Sequence, residues 1–331
     1  MGRSLNVAII GCGLIGNKRA DALGDARLVA CADPQLQRAE ALAARFGGES
    51  TADWREVLRR DDVDVVIVAA VNGVLAEIAA AALDAGKHVL VEKPAARNVA
   101  ELDGVIAAQQ RSGKLVHVGF NHRYHPALKE AKRLFDDGAL GEMMFVRARY
   151  GHGGRLGYEK EWRADPTISG GGELIDQGVH LIDLARMFLG DFTQVEGFAT
   201  TAFWDMPVDD NAFLLLRTAK STTASLHVSC TEWKNLFSFE IYGHAAKLHV
   251  EGLGGSYGLE RLSYYRMLPE MGPPETTIRE YPQADQSWRI ETAEFLDNVR
   301  HGRAADDSLA SARAALQVVD EIYRRSGYAF T

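Results

Sequence analysis

Five short apolar runs, at residues 7–10, 28–31, 65–70, 88–91 and 115–118, alternate with longer Ala- and Leu-rich stretches. Each run is rich in Val and Ile and almost continuously apolar, which is how a strand reads when both of its faces are buried. The stretches between them, such as 35–46, 74–85 and 99–110, space their apolar residues at helical intervals. Strand and helix repeated this many times call for a parallel sheet wrapped by helices. Right-handed crossovers then fix most of the topology.

After about residue 123 the texture changes. A helix over 126–136, closed by Gly138, leads into a strand at 143–150, and a glycine- and charge-rich loop follows. One long helix is expected over 173–189, stopped by Gly190. Alternating strands at 195–201, 212–217, 224–229, 237–242 and 248–250 then follow without intervening helices, the mark of a mostly antiparallel sheet. A last helix over 308–325 closes the chain. The expected fold class is α/β: an N-terminal domain over 1–123, then an α+β domain with an open-faced sheet over 124–331 whose last helix packs back on the first. A length of 331 residues fits two domains.

Gly11-Cys12-Gly13-Leu14-Ile15-Gly16 follows the first apolar run and opens a helix. This is the context that GxGxxG needs to act as a dinucleotide fingerprint, and it makes the first domain Rossmann-like. The first glycine permits the tight turn, the second lets backbone approach a pyrophosphate, and the third lets helix and strand touch. The helix N-terminus offers its N–H groups to the anion. Asp33 lies 20 residues beyond Gly13, at the end of the second run. A carboxylate there accepts both ribose hydroxyls and repels a 2′-phosphate, which favours NAD. Arg38, one turn into the next helix, could instead receive that phosphate, so NADP is the alternative. A plain glycine turn beside an ordinary Asp is the bland reading, and five alternating units speak against it.

Glu92-Lys93-Pro94 leaves the run at 88–91, where ligands of open parallel sheets bind. An ammonium at Lys93 could hold a reacting oxygen and stabilise alkoxide character, although a solvated lysine is the ordinary fate of this residue. Asp176 and His180 are four apart on the helix expected at 173–189, hence on one face. Histidine suits proton transfer near neutrality and a carboxylate orients it. A purely structural pair is equally compatible with the spacing, and Asp183 one turn on is read as structural or solvent-facing. Gly170–172 before the helix would allow close approach to a ligand. At the domain junction, Phe120, Asn121 and Arg123 either line the site or form a hinge with a salt-bridged Arg.

GCGLIG, EKP, GFNHRYHP and the Asp-Gln-Gly-Val-His helix occur in that order. Together they resemble the glucose–fructose oxidoreductase/inositol dehydrogenase/MocA (Gfo/Idh/MocA) family over essentially the whole chain. The resemblance implies that Lys93, Asp176 and His180 form the catalytic set and that the open sheet face makes a homodimer or homotetramer. Two departures stand out: the Thr-Pro-Asn and His frequent after the run at 65–70 are here Ala70-Val71-Asn72 and Leu75, and the His frequent after the glycine motif is Arg19. Ala70, Asn72 and Glu92 are carried over as cofactor-side positions. The implied reaction is hydride transfer between NAD(P) and a secondary hydroxyl or ketone of a sugar or nucleotide-linked sugar. The alternatives are a cyclitol dehydrogenase and a non-catalytic dinucleotide-binding regulator.

Substrate contacts are expected from the loop before the catalytic helix, at Tyr158, Trp162 and Arg163 with Lys160 nearby. An indole stacks on a pyranose or a base, and a guanidinium pairs with phosphate or carboxylate, which leans toward an anionic or nucleotide-linked sugar. Trp162 as a mere loop anchor is the competing view, and Trp233 and Asn235 are weaker candidates.

A net charge of −8 leaves no electrostatic footprint for nucleic acid. Cys12, Cys31 and Cys230 have no metal-ligand or disulfide spacing and suit a reducing compartment. Polar Gly2-Arg3-Ser4 runs straight into a short strand without a signal-peptide core, and no apolar run reaches a membrane helix. A cytoplasmic protein without metal is expected.

Overall fold

The computed structural model describes residues 4–303 and 306–329; Gly2 and Arg3 lie outside the described residues. Its first sheet comprises β1 (Asn6–Ile10), β2 (Arg27–Ala32), β3 (Glu49–Thr51), β4 (Val65–Val68), β5 (His88–Glu92) and β6 (Val116–Gly119). They lie in the order β3-β2-β1-β4-β5-β6, with every pairing parallel. Val7, Ile9, Val65, Ile67 and Leu90 carry the apolar runs into one buried cluster. The strand order reverses between β1 and β4, the position at which a ligand crevice opens in such sheets.

The second sheet comprises β7 (Met143–Gly151), β8 (Phe192–Thr200), β9 (Asn211–Thr218), β10 (Thr223–Ser229), β11 (Leu236–Gly243), β12 (Ala246–Glu251), β13 (Glu260–Arg266) and β14 (Glu275–Tyr281). Their order is β14-β13-β12-β11-β7-β10-β9-β8, antiparallel except where β7 meets β10. In β9 burial alternates residue by residue, with Ala212, Leu214 and Leu216 inside and Phe213, Leu215 and Arg217 outside. Helices Pro126–Asp136 and Val179–Leu189 pack against this sheet.

The chain forms two compact units. One holds residues up to Phe120 together with Trp288–Arg313; the other holds Asn121–Ser287 and the chain from Ala314 onward. The expected second segment, 124–331, is therefore interrupted. The cause is the helix Ser287–His301, which the apolar spacing did not reveal. Phe295 and Leu296 on it are buried in the cluster with Val7, Leu28 and Leu90.

The helix expected over 173–189 is also corrected. Leu174–Gly178 winds as one π-type turn, and a regular α-helix begins only at Val179. The carboxylate of Asp209, within the second unit, accepts the N–H groups of Gly172 at 2.9 Å and Leu174 at 2.7 Å. The Tyr323 hydroxyl donates to the same carboxylate and accepts from Gly172 and Ile175. A Cβ on Gly172 would meet the Asp209 carbonyl oxygen at 1.9 Å. This glycine therefore makes room for the protein's own clamp rather than for a ligand. Among the described residues, no helix is long and apolar enough to cross a membrane.

Candidate active site

In the first unit the glycine turn is built by close packing. Gly11 has φ +92°, and a Cβ there would lie 2.4 Å from the Ala69 carbonyl oxygen at the end of β4; one on Gly16 would lie 2.0 Å from the Gly11 oxygen. Gly13 differs, because its Cβ would meet nothing within 4 Å. It is the N-cap of the helix Leu14–Asp21 and supplies no side-chain cap, so the first N–H groups of that helix are presented to whatever enters the open space. Cys12 is buried beneath the turn, Ile15 is half-buried and Leu14 is exposed.

Asp33 is nearly buried, and its two oxygens accept the N–H groups of Cys12 and Gln35, both at 2.9 Å. The carboxylate thus ties the glycine turn to the end of β2 and keeps further lone pairs for ribose hydroxyls. The residues present fit a bound NAD: open space over Gly13, a bare helix N-terminus and a carboxylate at the second strand. Arg38 is exposed on the helix Leu36–Phe46, Ala70 is half-buried, and Asn72 is buried at the start of the helix Asn72–Asp84. Replacing Asp33 with Ser removes the charge that repels a 2′-phosphate. The ratio of kcat/KM for NADP over NAD should rise by about tenfold or more. An unchanged ratio in steady-state kinetics would remove Asp33 from cofactor choice.

Lys93 follows β5 and is half-buried, and its peptide to Pro94 is cis. Immediately before it, Glu92 enters a buried charge cluster that the sequence did not disclose. Arg19, wholly buried, donates to Glu92 at 2.6 Å, pairs with Glu291 at 2.7 Å and lies 4.6 Å from the Trp288 ring. Glu291 in turn meets His117 at 3.1 Å, and the other nitrogen of His117 meets Asp306. Burial, with Glu291 adding to it, raises the pKa of Glu92 more than Arg19 and Lys93 lower it. Glu291 is equally buried, but Arg19 and His117 together hold its pKa down.

The second unit gathers another set. Arg163 donates to Asp176 at 3.0 Å and lies 4.6 Å from the ring of Trp162. Asp176, followed by burial, is what moves the Arg163 pKa, and the net effect is upward. Glu173, one residue before the π-type turn, is buried; His152 stands 3.5 Å from it and the Tyr158 hydroxyl reaches toward it at 3.5 Å. Burial works against a charge on His152, but Glu173 outweighs it and raises the pKa. His180 is buried with its ring 3.7 Å from that of His122 and 6.4 Å from that of Tyr150.

Two expected ligand contacts are engaged internally. Arg123 makes a two-point pair with Asp183 at 2.8 and 2.6 Å, as in the salt-bridged alternative for Arg123, and Asp183 is buried rather than solvent-facing. Asn121 donates to Ser287 at 2.9 Å and offers its oxygen to His122. Lys160 is exposed, as is Trp233, whose ring lies 5.2 Å from that of Phe203, and Asn235 donates to the Ser256 carbonyl. Sequence reasoning missed His122, Tyr150, His152 and Glu173 as neighbours of the predicted residues. His122 lay within GFNHRYHP and Glu173 opened the helix expected over 173–189, so both stood in segments already singled out.

Residues 5–120 match the family described as "Oxidoreductase family, NAD-binding Rossmann fold", and residues 128–249 match the "GFO/IDH/MocA C-terminal domain". The chain belongs to the Gfo/Idh/MocA oxidoreductases. It is an enzyme of that family with NAD as cofactor, as the four ordered motifs implied. Among relatives in the family it is similar to levoglucosan dehydrogenase of Pseudarthrobacter phenanthrenivorans. Identity is 32% over 290 residues, covering 73% of this chain and 72% of that one. A dTDP-3,4-didehydro-2,6-dideoxy-alpha-D-glucose 3-reductase of Actinomadura kijaniata is 32% identical over 226 residues, 67% of each chain. The solved structure of levoglucosan dehydrogenase in complex with NADH and levoglucosan matches with a TM-score of 0.88 at 25% identity, over 98% of both chains.

Proposed function

We propose that this Gfo/Idh/MocA oxidoreductase acts on a secondary alcohol carbon of a neutral, hydroxyl-rich small molecule, a free sugar in preference to a nucleotide-linked one. The observation that carries the substrate class is the charge balance of the second unit. Arg163, the guanidinium that would grip a phosphate, already pairs with Asp176 at 3.0 Å and stands 3.6 Å from Glu161. Buried Glu173 adds a further carboxylate. Carboxylates accept hydrogen bonds from sugar hydroxyls and repel a pyrophosphate. The half-buried ring of Trp162 offers an apolar face for the C–H side of a pyranose. The similarity to levoglucosan dehydrogenase supports the same class.

When bound, NAD supplies the hydride acceptor, and its reduced form the donor. Gly13 and the helix N-terminus would hold its pyrophosphate and Asp33 its ribose. The Nζ of Lys93 would donate to the reacting oxygen and stabilise negative charge there. His180 would take the hydroxyl proton on its imidazole and return it in the reverse direction. Asp176 would favour the imidazolium, with Arg163 offsetting part of that field.

A panel of free sugars, inositols and nucleotide-linked sugars, read by the absorbance of reduced cofactor, tests the substrate class. Turnover on free sugars supports it. Turnover confined to nucleotide-linked sugars overturns it, and a cyclitol as best substrate would move the assignment to the alternative that meets the same charge requirement.

We further infer a homo-oligomer built on the open face of the second sheet. Phe198 on β8 and Leu215 on β9 are more than half exposed there, next to Phe213, an apolar patch that water alone seldom covers. Leu215→Glu should convert the assembly to monomers in size-exclusion light scattering, and a wild-type monomer would refute it. Three buried free cysteines fit a cytoplasmic location.

A further inference from the structure

The His122 and His180 rings lie face to face, 3.7 Å between centroids and 21° from parallel, with both side chains buried. A chain of hydrogen bonds within the second unit orients the outer member. The Ser287 hydroxyl donates to Asp285 at 2.6 Å, so its oxygen is left to accept from the Asn121 amide nitrogen at 2.9 Å. That fixes the amide with its oxygen toward His122 Nδ1, at 3.2 Å. An amide oxygen only accepts, so the proton of neutral His122 sits on Nδ1. From this geometry we propose that His122 is a positioning residue for His180, holding the plane of the ring and resisting a second proton in the stack. The inference rests on the assignment of His180 as the proton carrier.

The physical content is mutual exclusion. Two imidazolium rings in face-to-face contact in a buried setting repel strongly, so a proton on one ring disfavours a proton on the other. The surroundings do not reverse this. His125, whose ring stands 5.7 Å from His122, pairs with Glu260 at 2.9 Å. Arg123 pairs with Asp183 and Arg163 with Asp176. His152 faces Glu173. Tyr150 and Phe237 also stand beside the His122 ring, and they carry no charge at neutral pH. Arg123, Arg163, His125 and His152 are thus each matched with a carboxylate.

The test follows kcat/KM for substrate oxidation against pH in three variants whose folding is checked by circular dichroism and whose NAD affinity is checked by fluorescence. In His122→Arg, a planar and permanently charged group stacks where a neutral ring lay. The acid-limb inflection should move down by about one pH unit or more. His122→Phe keeps a flat ring, and should hold the inflection near the wild-type value and kcat within about threefold. His122→Ala removes the stack, and kcat should fall by about tenfold or more with KM for NAD unchanged. A folded, active His122→Arg enzyme with an unmoved inflection overturns the inference. If the Arg variant does not fold, the other two decide: Phe clearly better than Ala supports the stack, and Phe no better than Ala overturns it. His180→Ala serves as the separate control, because full turnover in that variant would sink the assignment of His180 itself.

Discussion

Arg19→Met should cost the first unit about 3–5 kcal/mol of stability at pH 8, measured by urea unfolding with tryptophan fluorescence. Arg19 is wholly buried and is the cation shared by Glu92 and Glu291. Methionine fills much of the volume but leaves Glu92 with only the weaker influence of Lys93 and Glu291 with His117 alone. The loss should shrink as pH falls, because stranded carboxylates escape the penalty by taking up protons. The wild type carries a second pH signature through His117. Burial opposes its charge, but Asp306 and Glu291 raise its pKa to about 9. A pKa raised on folding contributes stability that is complete below the unfolded value near 6.5 and lost as pH climbs through about 9. Wild-type stability should therefore decline between pH 7 and 9.5, and His117→Asn should flatten that decline. An Arg19→Met protein within about 1 kcal/mol of wild type would mean that the cluster tolerates its own charge.

That cluster marks the limit of what the chain shows before it folds. The parallel sheet was legible because both faces of its strands are buried, so Val65–Val68 and His88–Glu92 are apolar almost without interruption. The glycine motif was legible because Gly11 and Gly16 are required by backbone contacts that any other residue would break. Arg19 and Glu291 lie 272 positions apart in the sequence, and no local spacing connects them. The helix that carries Glu291 was missed because its polar residues Glu291 and Thr292 are buried beside its apolar ones, which blurs the helical stripe. β14 was missed for the opposite reason: six of its seven residues are exposed, leaving no buried face to alternate.

The same distinction runs through the site. Asp176 and His180 were legible as a pair of chemically suited residues four apart. Their setting was not, because the spacing assumed a regular helix, whereas Leu174–Gly178 is wound π-type over the clamp of Asp209 and Tyr323. Inserted turns of this kind depend on partners distant in sequence and recur at functional sites. Arg163 was found through its residue type, but its partner Asp176 changes its meaning, from a phosphate grip to half of a neutral pair. Residue chemistry is readable in sequence; the charge that remains after pairing is a property of the fold.

On the proposed roles, Lys93→Met and His180→Ala should each lower kcat by about a hundredfold to ten-thousandfold with NAD binding retained, since each would remove a contact needed most in the transition state. The more informative quantity is the double variant. If the ammonium stabilises the same oxygen whose proton the imidazole removes, the two groups serve one step. Either loss then disables much of what the other could do. The double variant should accordingly fall little below the worse single variant rather than by the product of the two losses. Full multiplication would assign the residues to separate steps and leave only one of them in proton transfer. Retention of most turnover in His180→Ala would dismiss the imidazole altogether, and the proton would have to be carried by another group of the second unit. His152 is the next candidate for that role, because Glu173 already raises its proton affinity against the opposing effect of burial.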